Sequence, residues 1–219
     1  MSELVVYGAI ASQPVRSVLF FLKHSGIEYT YKELNTLKGE TQTEEFTKIN
    51  PYQAVPAIVH DGFNLWESAA IVAYLADAYN VDNQWYPKDP KIRGRINAYL
   101  HWHHQNIRTP LVSYLVAKYW FKAKGTPELT EETERPHREA LQTWYENVEW
   151  LLNDTGFVAR TEKATIADVF AYNEITLGLL IPMDLDAHPK IRTWFDTLGN
   201  DPVLQELLSG ALDVIKHLT

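Results

Sequence analysis

The sequence predicts two modules: a small α/β unit with a mixed sheet over residues 1–80, and an all-helical unit over 90–219. Strand-type and helix-type segments alternate up to Tyr79. The pair Asp61-Gly62 sits between two apolar runs, the pattern of a β-hairpin. Beyond Asp89 strand signals nearly vanish and helical periodicity takes over.

The elements follow in order. Leu4–Tyr7 reads as a short buried strand, and Ser12-Gln13-Pro14 as a helix start with proline in the first turn. Val18, Leu19 and Leu22 keep helical spacing until Gly26 stops the helix. Tyr29–Leu34 reads as a second strand and Thr41–Ile49 as a short helix. Ala57–His60 and Phe63–Trp66 form the hairpin, and Glu67–Tyr79 is helical with Ile71, Tyr74, Leu75 and Ala78 on one side. The order β-α-β-α-β-β-α defines an α/β unit. Residues 81–89, with Tyr86-Pro87 and Asp89-Pro90, read as a linker. Helical patterns then cover Ile92–Lys122, Leu129–Asn153, Thr165–Leu180, Lys190–Leu198 and Pro202–Leu218.

Composition removes several classes of function. A net charge of −8 disfavours a nucleic-acid or anionic-membrane partner, because both select a basic face. No apolar run approaches the ~20 residues that span a bilayer, and a cytoplasmic location is the expectation. The chain contains no cysteine, which rules out disulfides, Cys-based zinc sites and any protein thiol nucleophile. His101 and His104 are three apart on a helical pattern, but no third ligand stands one turn away, and no metal is expected.

Three local features can carry chemistry. Val55-Pro56 precedes a strand; if that bond is cis, the exposed backbone of Val55 can pair with an extended peptide, whereas a plain trans proline would serve the strand edge. Trp66-Glu67-Ser68 sits at a strand-to-helix junction, where unpaired N–H groups and the helix dipole favour a carboxylate. Glu67 can accept from an ammonium group there, or either residue can simply cap the helix. Ser12 opens the first helix. It lacks a G-x-S-x-G setting or a paired base, so it reads as a hydrogen-bond donor to an anion or as an N-cap, not as a nucleophile.

The run Tyr7–Arg16, Tyr-Gly-Ala-Ile-Ala-Ser-Gln-Pro-Val-Arg, resembles the start of theta-class glutathione transferases, with the phi class a close sibling. Lys38-Gly39-Glu40, Phe46, Asn50-Pro51, Val55-Pro56-Ala57 and Glu67-Ser68-Ala69-Ala70-Ile71 continue the resemblance in order. So do Trp85-Tyr86-Pro87, Trp102-His103, Ile107-Arg108 and the capping-box pattern Thr165-Ile166-Ala167-Asp168.

The resemblance implies a thioredoxin-like domain joined to a helical domain, a homodimer, and glutathione as co-substrate in a detoxifying conjugation. In the family Val55-Pro56 would pair with the cysteinyl backbone of glutathione, while Glu67 and Ser68 take its γ-glutamyl end. Ser12 would donate to the sulfur with Arg108 nearby. Gln13, Gln53 and Thr41 are further glutathione-binding candidates. Ile10, Ala11, Tyr114, Trp120 and Leu212 are apolar candidates for the electrophile pocket. Small hydrophobic electrophiles such as alkyl halides, isothiocyanates and organic hydroperoxides are the implied substrate types, with peroxidase or dehalogenase side activity.

Two positions depart from the pattern. Thr41 replaces a histidine that holds the glycine carboxylate, with Lys38 and Gln42 as nearby substitutes, and Gln105 replaces an aspartate that reaches the partner subunit's glutathione. Tyr7 competes with Ser12 as sulfur donor, because other classes use a tyrosine near the end of the first strand. The rival to an enzyme is a non-catalytic relative that uses the fold for binding or assembly.

Overall fold

The computed structural model describes residues 3–120, 129–176, 181 and 183–216, with the backbone alone for 119, 120, 215 and 216. The described chain divides into two compact units, one holding the residues up to Lys88 together with those from Asp201 on, the other Asp89–Asn200.

The first unit runs β1 (Leu4–Gly8), α1 (Gln13–Ser25), β2 (Thr30–Glu33), α2 (Glu44–Ile49), β3 (Ala57–His60), β4 (Phe63–Trp66) and α3 (Ser68–Ala78). Its sheet has the order β2-β1-β3-β4. β1 pairs parallel with β2 and antiparallel with β3, which pairs antiparallel with β4. The sheet is mixed, as the alternation of elements predicts. Val6 and Ile58 are fully buried, as are Val15, Val18 and Leu22 of α1 and Ile71 and Leu75 of α3. The helix expected from Thr41 starts later. Thr41 lies in a 3-10 turn (Glu40–Gln42), and Thr43 then caps α2 by accepting from the Phe46 N–H at 3.2 Å.

The second unit contains α4 (Pro90–His103), α5 (Thr109–Leu115), α6 (Glu131–Leu152), α7 (Ile166–Ile175) and α8 (Pro189–Gly199). Asp89 starts α4 by accepting from the N–H groups of Lys91 and Ile92 at 2.8 and 2.9 Å. The single long helix expected from Ile92 is interrupted by two π turns, His104–Arg108 and Val116–Trp120. A π turn inserts one residue into the helical repeat, and periodicity over a window this long averages it away. The ends of three expected helices, residues 121–122, 177–180 and 217–218, lie outside the described residues.

The last helix, α9 (Pro202–Lys216), groups with the first unit and not with the helical one as the sequence suggests. It buries Leu204, Leu207 and Ala211 and is tied to α1 by Lys23–Glu206 at 3.1 Å and His24–Asp201 at 3.0 Å. An amphipathic pattern shows which face is apolar but not what covers it.

All ten residues of α7 are buried, so its single carboxylate near the start needs full compensation. Asp168 accepts from Val158 N at 2.8 Å, Thr165 N at 2.9 Å, Trp194 Nε1 at 3.0 Å and the Thr165 hydroxyl at 3.2 Å. Burial pushes its carboxyl above the usual range, and these bonds pull the other way. The capping box therefore also fastens α8 and the segment before α7. Asp168→Ala strands four buried donors and is expected to cost about 3–5 kcal/mol, measured by urea unfolding; a loss below about 1 kcal/mol would contradict this reading.

Candidate active site

The connection from β1 to α1 is held from both sides. Gly8 permits it, since a Cβ there would lie 2.6 Å from Val15 Cγ1. Its carbonyl accepts from Leu34 N at 2.7 Å, and Ser12 N closes a turn on Ala9 O at 2.8 Å. Arg16, only 2% exposed, reaches back from α1 and donates through Nη1 to Ile10 O at 3.2 Å and Ala11 O at 2.9 Å. From β2, Glu33 accepts the Ile10 N–H on both oxygens at 3.1 and 3.2 Å. Tyr31 donates to that carboxylate at 2.6 Å, and burial with this bond pushes its phenol up. The Ser12 loop is thus fixed by a buried guanidinium below and an exposed carboxylate beside it.

Ser12 occupies the N-cap position of α1 in extended conformation, φ −77° and ψ 124°, yet its hydroxyl makes no cap bond. Among the described residues it has no partner. Pro14 in the first turn has no N–H to cap. The geometry therefore disfavours the N-cap reading. Tyr7 differs: its hydroxyl accepts from Lys32 Nζ at 3.3 Å, and its ring packs 5.9 Å from Phe46.

The Val55-Pro56 bond is cis. Asn50, 1% exposed, shapes the turn before it, donating to Ala54 O at 2.8 Å and accepting from Tyr52 N at 3.0 Å. Gln53 adopts φ 56° and donates to the Thr47 hydroxyl at 3.3 Å. Val55 makes no hydrogen bond among the described residues, so its backbone is available to an extended ligand. Pro56 is buried.

At the start of α3, Glu67 adopts φ 68° and ψ 108° without a cap bond. Positive φ strains a residue with a Cβ, and such outliers cluster where a ligand is clamped. Ile71 N is the first amide to bond back along the helix, at 2.9 Å to Glu67 O. The N–H groups of Ser68, Ala69 and Ala70 precede it. Ser68 is buried, and its hydroxyl has no partner among the described residues. Thr41 is buried, Lys38 and Gln42 are exposed, and Gln13 is buried while its carbonyl accepts from the Ser17 hydroxyl at 3.2 Å.

The apolar candidates differ in their surroundings. Ile10 and Ala11 are half-buried in the Ser12 loop, Leu212 is half-buried on α9, and a Cβ at Gly210 would lie 3.5 Å from Ile10. Tyr114 is core. It is 1% exposed, donates to Glu134 at 2.5 Å and stacks on His137 at 5.3 Å, so its ring offers no pocket wall. The Trp120 side chain lies outside the described residues. Arg108 closes the π turn His104–Arg108, half-buried, 3.5 Å from Glu174. Gln105 is exposed on the same turn, and His101 lies 2.7 Å from Asn97 O. Among the described residues no group of three or more His, Asp or Glu is arranged to hold a metal, and no helix is long and apolar enough to cross a membrane.

Sequence reasoning assigned no role to Arg16, Glu33, Asn50 or Glu174. Arg16 and Glu174 were legible as charges within apolar helical runs. Glu33 and Asn50 act on backbone groups and leave no spacing signal.

Residues 2–77 match the family model for the N-terminal domain of glutathione S-transferases. Over 205 residues the chain is 33% identical to glutathione S-transferase T1 of Arabidopsis thaliana, covering 90% of this chain and 83% of that one. The chain belongs to the glutathione S-transferase family. Within it the chain is theta-like. Human glutathione transferase theta-2, solved in complex with glutathione, superposes with a TM-score of 0.86 at 28% identity, over 97% of this chain and 87% of that one. A human theta-class enzyme in complex with the glutathione conjugate of 1-menaphthyl sulfate superposes at 0.87 and 27% identity, over 98% and 89%.

The two clamps on the Ser12 loop should differ in weight. Arg16→Met leaves two carbonyls without their donor and is expected to cost about 2–4 kcal/mol in urea unfolding. Glu33→Ala, at an exposed site, should cost under about 1 kcal/mol in the same measurement.

Proposed function

We propose that this glutathione transferase ionises the thiol of bound glutathione with Ser12 and Arg108 and directs the thiolate at small hydrophobic electrophiles. The observation that carries the reading is the Ser12 hydroxyl, placed at a helix start and spent on no cap. A thiol of pKa ~8.5 is only a few per cent ionised at neutral pH. A hydroxyl donor, the dipole of α1 and an arginine all favour the charged form. Lowering the pKa by about 2 units corresponds to roughly 2.7 kcal/mol, within reach of such contacts. The chain supplies no thiol, so the nucleophilic sulfur enters with the co-substrate.

The other contacts follow from chemistry. The unpaired backbone of Val55 beside Pro56 suits the cysteinyl amide of glutathione. The start of α3, with the Ser68 hydroxyl, suits the α-carboxylate of the γ-glutamyl end, and Glu67 suits its ammonium group. Thr41, Gln53 and Gln13 complete the set, Thr41 with a hydroxyl to offer. Ile10, Ala11 and Leu212 form apolar surface for the electrophile. A cytoplasmic homodimer completes the proposal.

Ser12→Ala is expected to lower kcat for a model aryl halide by roughly ten- to a hundredfold while retention on immobilised glutathione persists. Tyr7→Phe should remain within about twofold. The reverse ranking would transfer the role of sulfur donor to Tyr7.

A further inference from the structure

Glu174 lies on α7 and is buried like every residue of that helix. Its Oε1 lies 3.6 Å from His103 Nε2 and 3.5 Å from Arg108 Nη1. His103 is fixed from its other side: Nδ1 is 2.7 Å from Leu100 O, a contact in which the ring must donate, and the ring stacks on Tyr99 at 5.5 Å. Glu174 Oε2 is buried and has no hydrogen-bond partner.

A carboxylate in that state is a poor structural element. Burying a half-satisfied charge is costly, and an apolar residue of similar size would pack at least as well. Asp168 on the same helix shows the contrast, with both oxygens engaged by N–H or O–H donors. Glu174 instead reaches Arg108, whose side chain is 30% exposed. The π turn makes this possible. Its i→i+5 bond, from Thr109 N to His104 O, brings residues five apart toward one face, where a regular helix aligns those three or four apart. His103 and Arg108 thereby meet one carboxylate.

We propose that Glu174 is the positioning residue for Arg108. Lying beside His103, it holds one guanidinium nitrogen and fixes the direction in which the other donors face. The inference rests on the reading of Arg108 as a group that stabilises the thiolate. Two effects of removing the carboxylate oppose each other: the arginine would gain effective charge but lose its orientation. Solvent screens the first at a partly exposed guanidinium, whereas a misdirected fork forfeits its hydrogen bond outright. Orientation wins.

The test is a thiolate-absorbance titration of full-length protein saturated with glutathione, together with kcat and KM at pH 6.5. Glu174→Gln should raise the bound-thiol pKa by about half to one unit and lower kcat roughly two- to fivefold, since a thiol lowered to a pKa of about 6.5 is half ionised at that pH and such a rise leaves about a quarter to a tenth ionised. KM for glutathione and the thermal midpoint should hold. In an Arg108→Met background the same change should leave the thiol pKa where that background puts it. An unchanged or lowered thiol pKa in Glu174→Gln would overturn the proposal, as would an equal rise with and without Arg108. If Arg108→Met alone leaves the pKa unmoved, the reading of Arg108 has failed instead. Should Glu174→Gln not fold, Arg108→Lys carries the test: it keeps the charge without the fork, and full activity in it would overturn the role of orientation.

Discussion

Every α-helix begins with N–H groups that its own hydrogen bonding cannot satisfy, and in the first unit two such beginnings are kept open. α1 starts at Ser12 and α3 at Ser68, and neither serine spends its hydroxyl on the helix it introduces. Elsewhere the same chain caps routinely, with Thr43 on α2 and Asp89 on α4. The contrast separates a helix end that completes itself from one left open, the kind of end proposed above to take an anion. The neighbouring structure serves that difference. Gly8, Arg16 and Glu33 fix the approach to Ser12, Asn50 shapes the turn into Val55-Pro56, and Glu67 accepts a strained φ ahead of Ser68.

Buried charge is handled in two ways. Arg16 and Asp168 are nearly inaccessible, and their polar atoms meet backbone or indole groups that would otherwise be orphaned. Such side chains stabilise because the alternative is an unpaired carbonyl or N–H in a dry interior. Glu174 is equally buried but leaves one oxygen unpaired, and the cation it reaches is partly in solvent. Only the first arrangement is explained by folding alone.

Much of this architecture was legible in the sequence. Apolar alternation and the Asp61-Gly62 hairpin placed β3 and β4 at their observed limits, and the β-α-β-α-β-β-α order followed. Local pattern could not assign α9 to the first unit, because periodicity reports a face and not its partner. It could not see the π turns, which shift facing by one residue within an otherwise regular run. For the proposed site, residue types at helix starts are what single out Ser12, Glu67 and Ser68. Whether a serine there caps or waits depends on a hydroxyl rotamer and local backbone angles, which spacing does not encode. Tyr114 misled for a related reason: an aromatic at helical spacing reads alike as pocket or core until its hydroxyl is found on Glu134.

The carboxylate nearest the Ser12 loop raises an electrostatic question that the geometry answers. The chain carries a net charge of −8, and a thiolate would be opposed by any acid close to it. Charges beyond about 8 Å are largely screened at physiological ionic strength, so the global excess matters little and Glu33 matters most. Its carboxylate is engaged by the Ile10 N–H and the Tyr31 hydroxyl and is otherwise exposed. An exposed charge acts through a high effective dielectric, whereas a donor in contact with sulfur acts at hydrogen-bond distance. The contact is the larger effect, so an acid can fasten the loop and the proposed thiolate can still be favoured there.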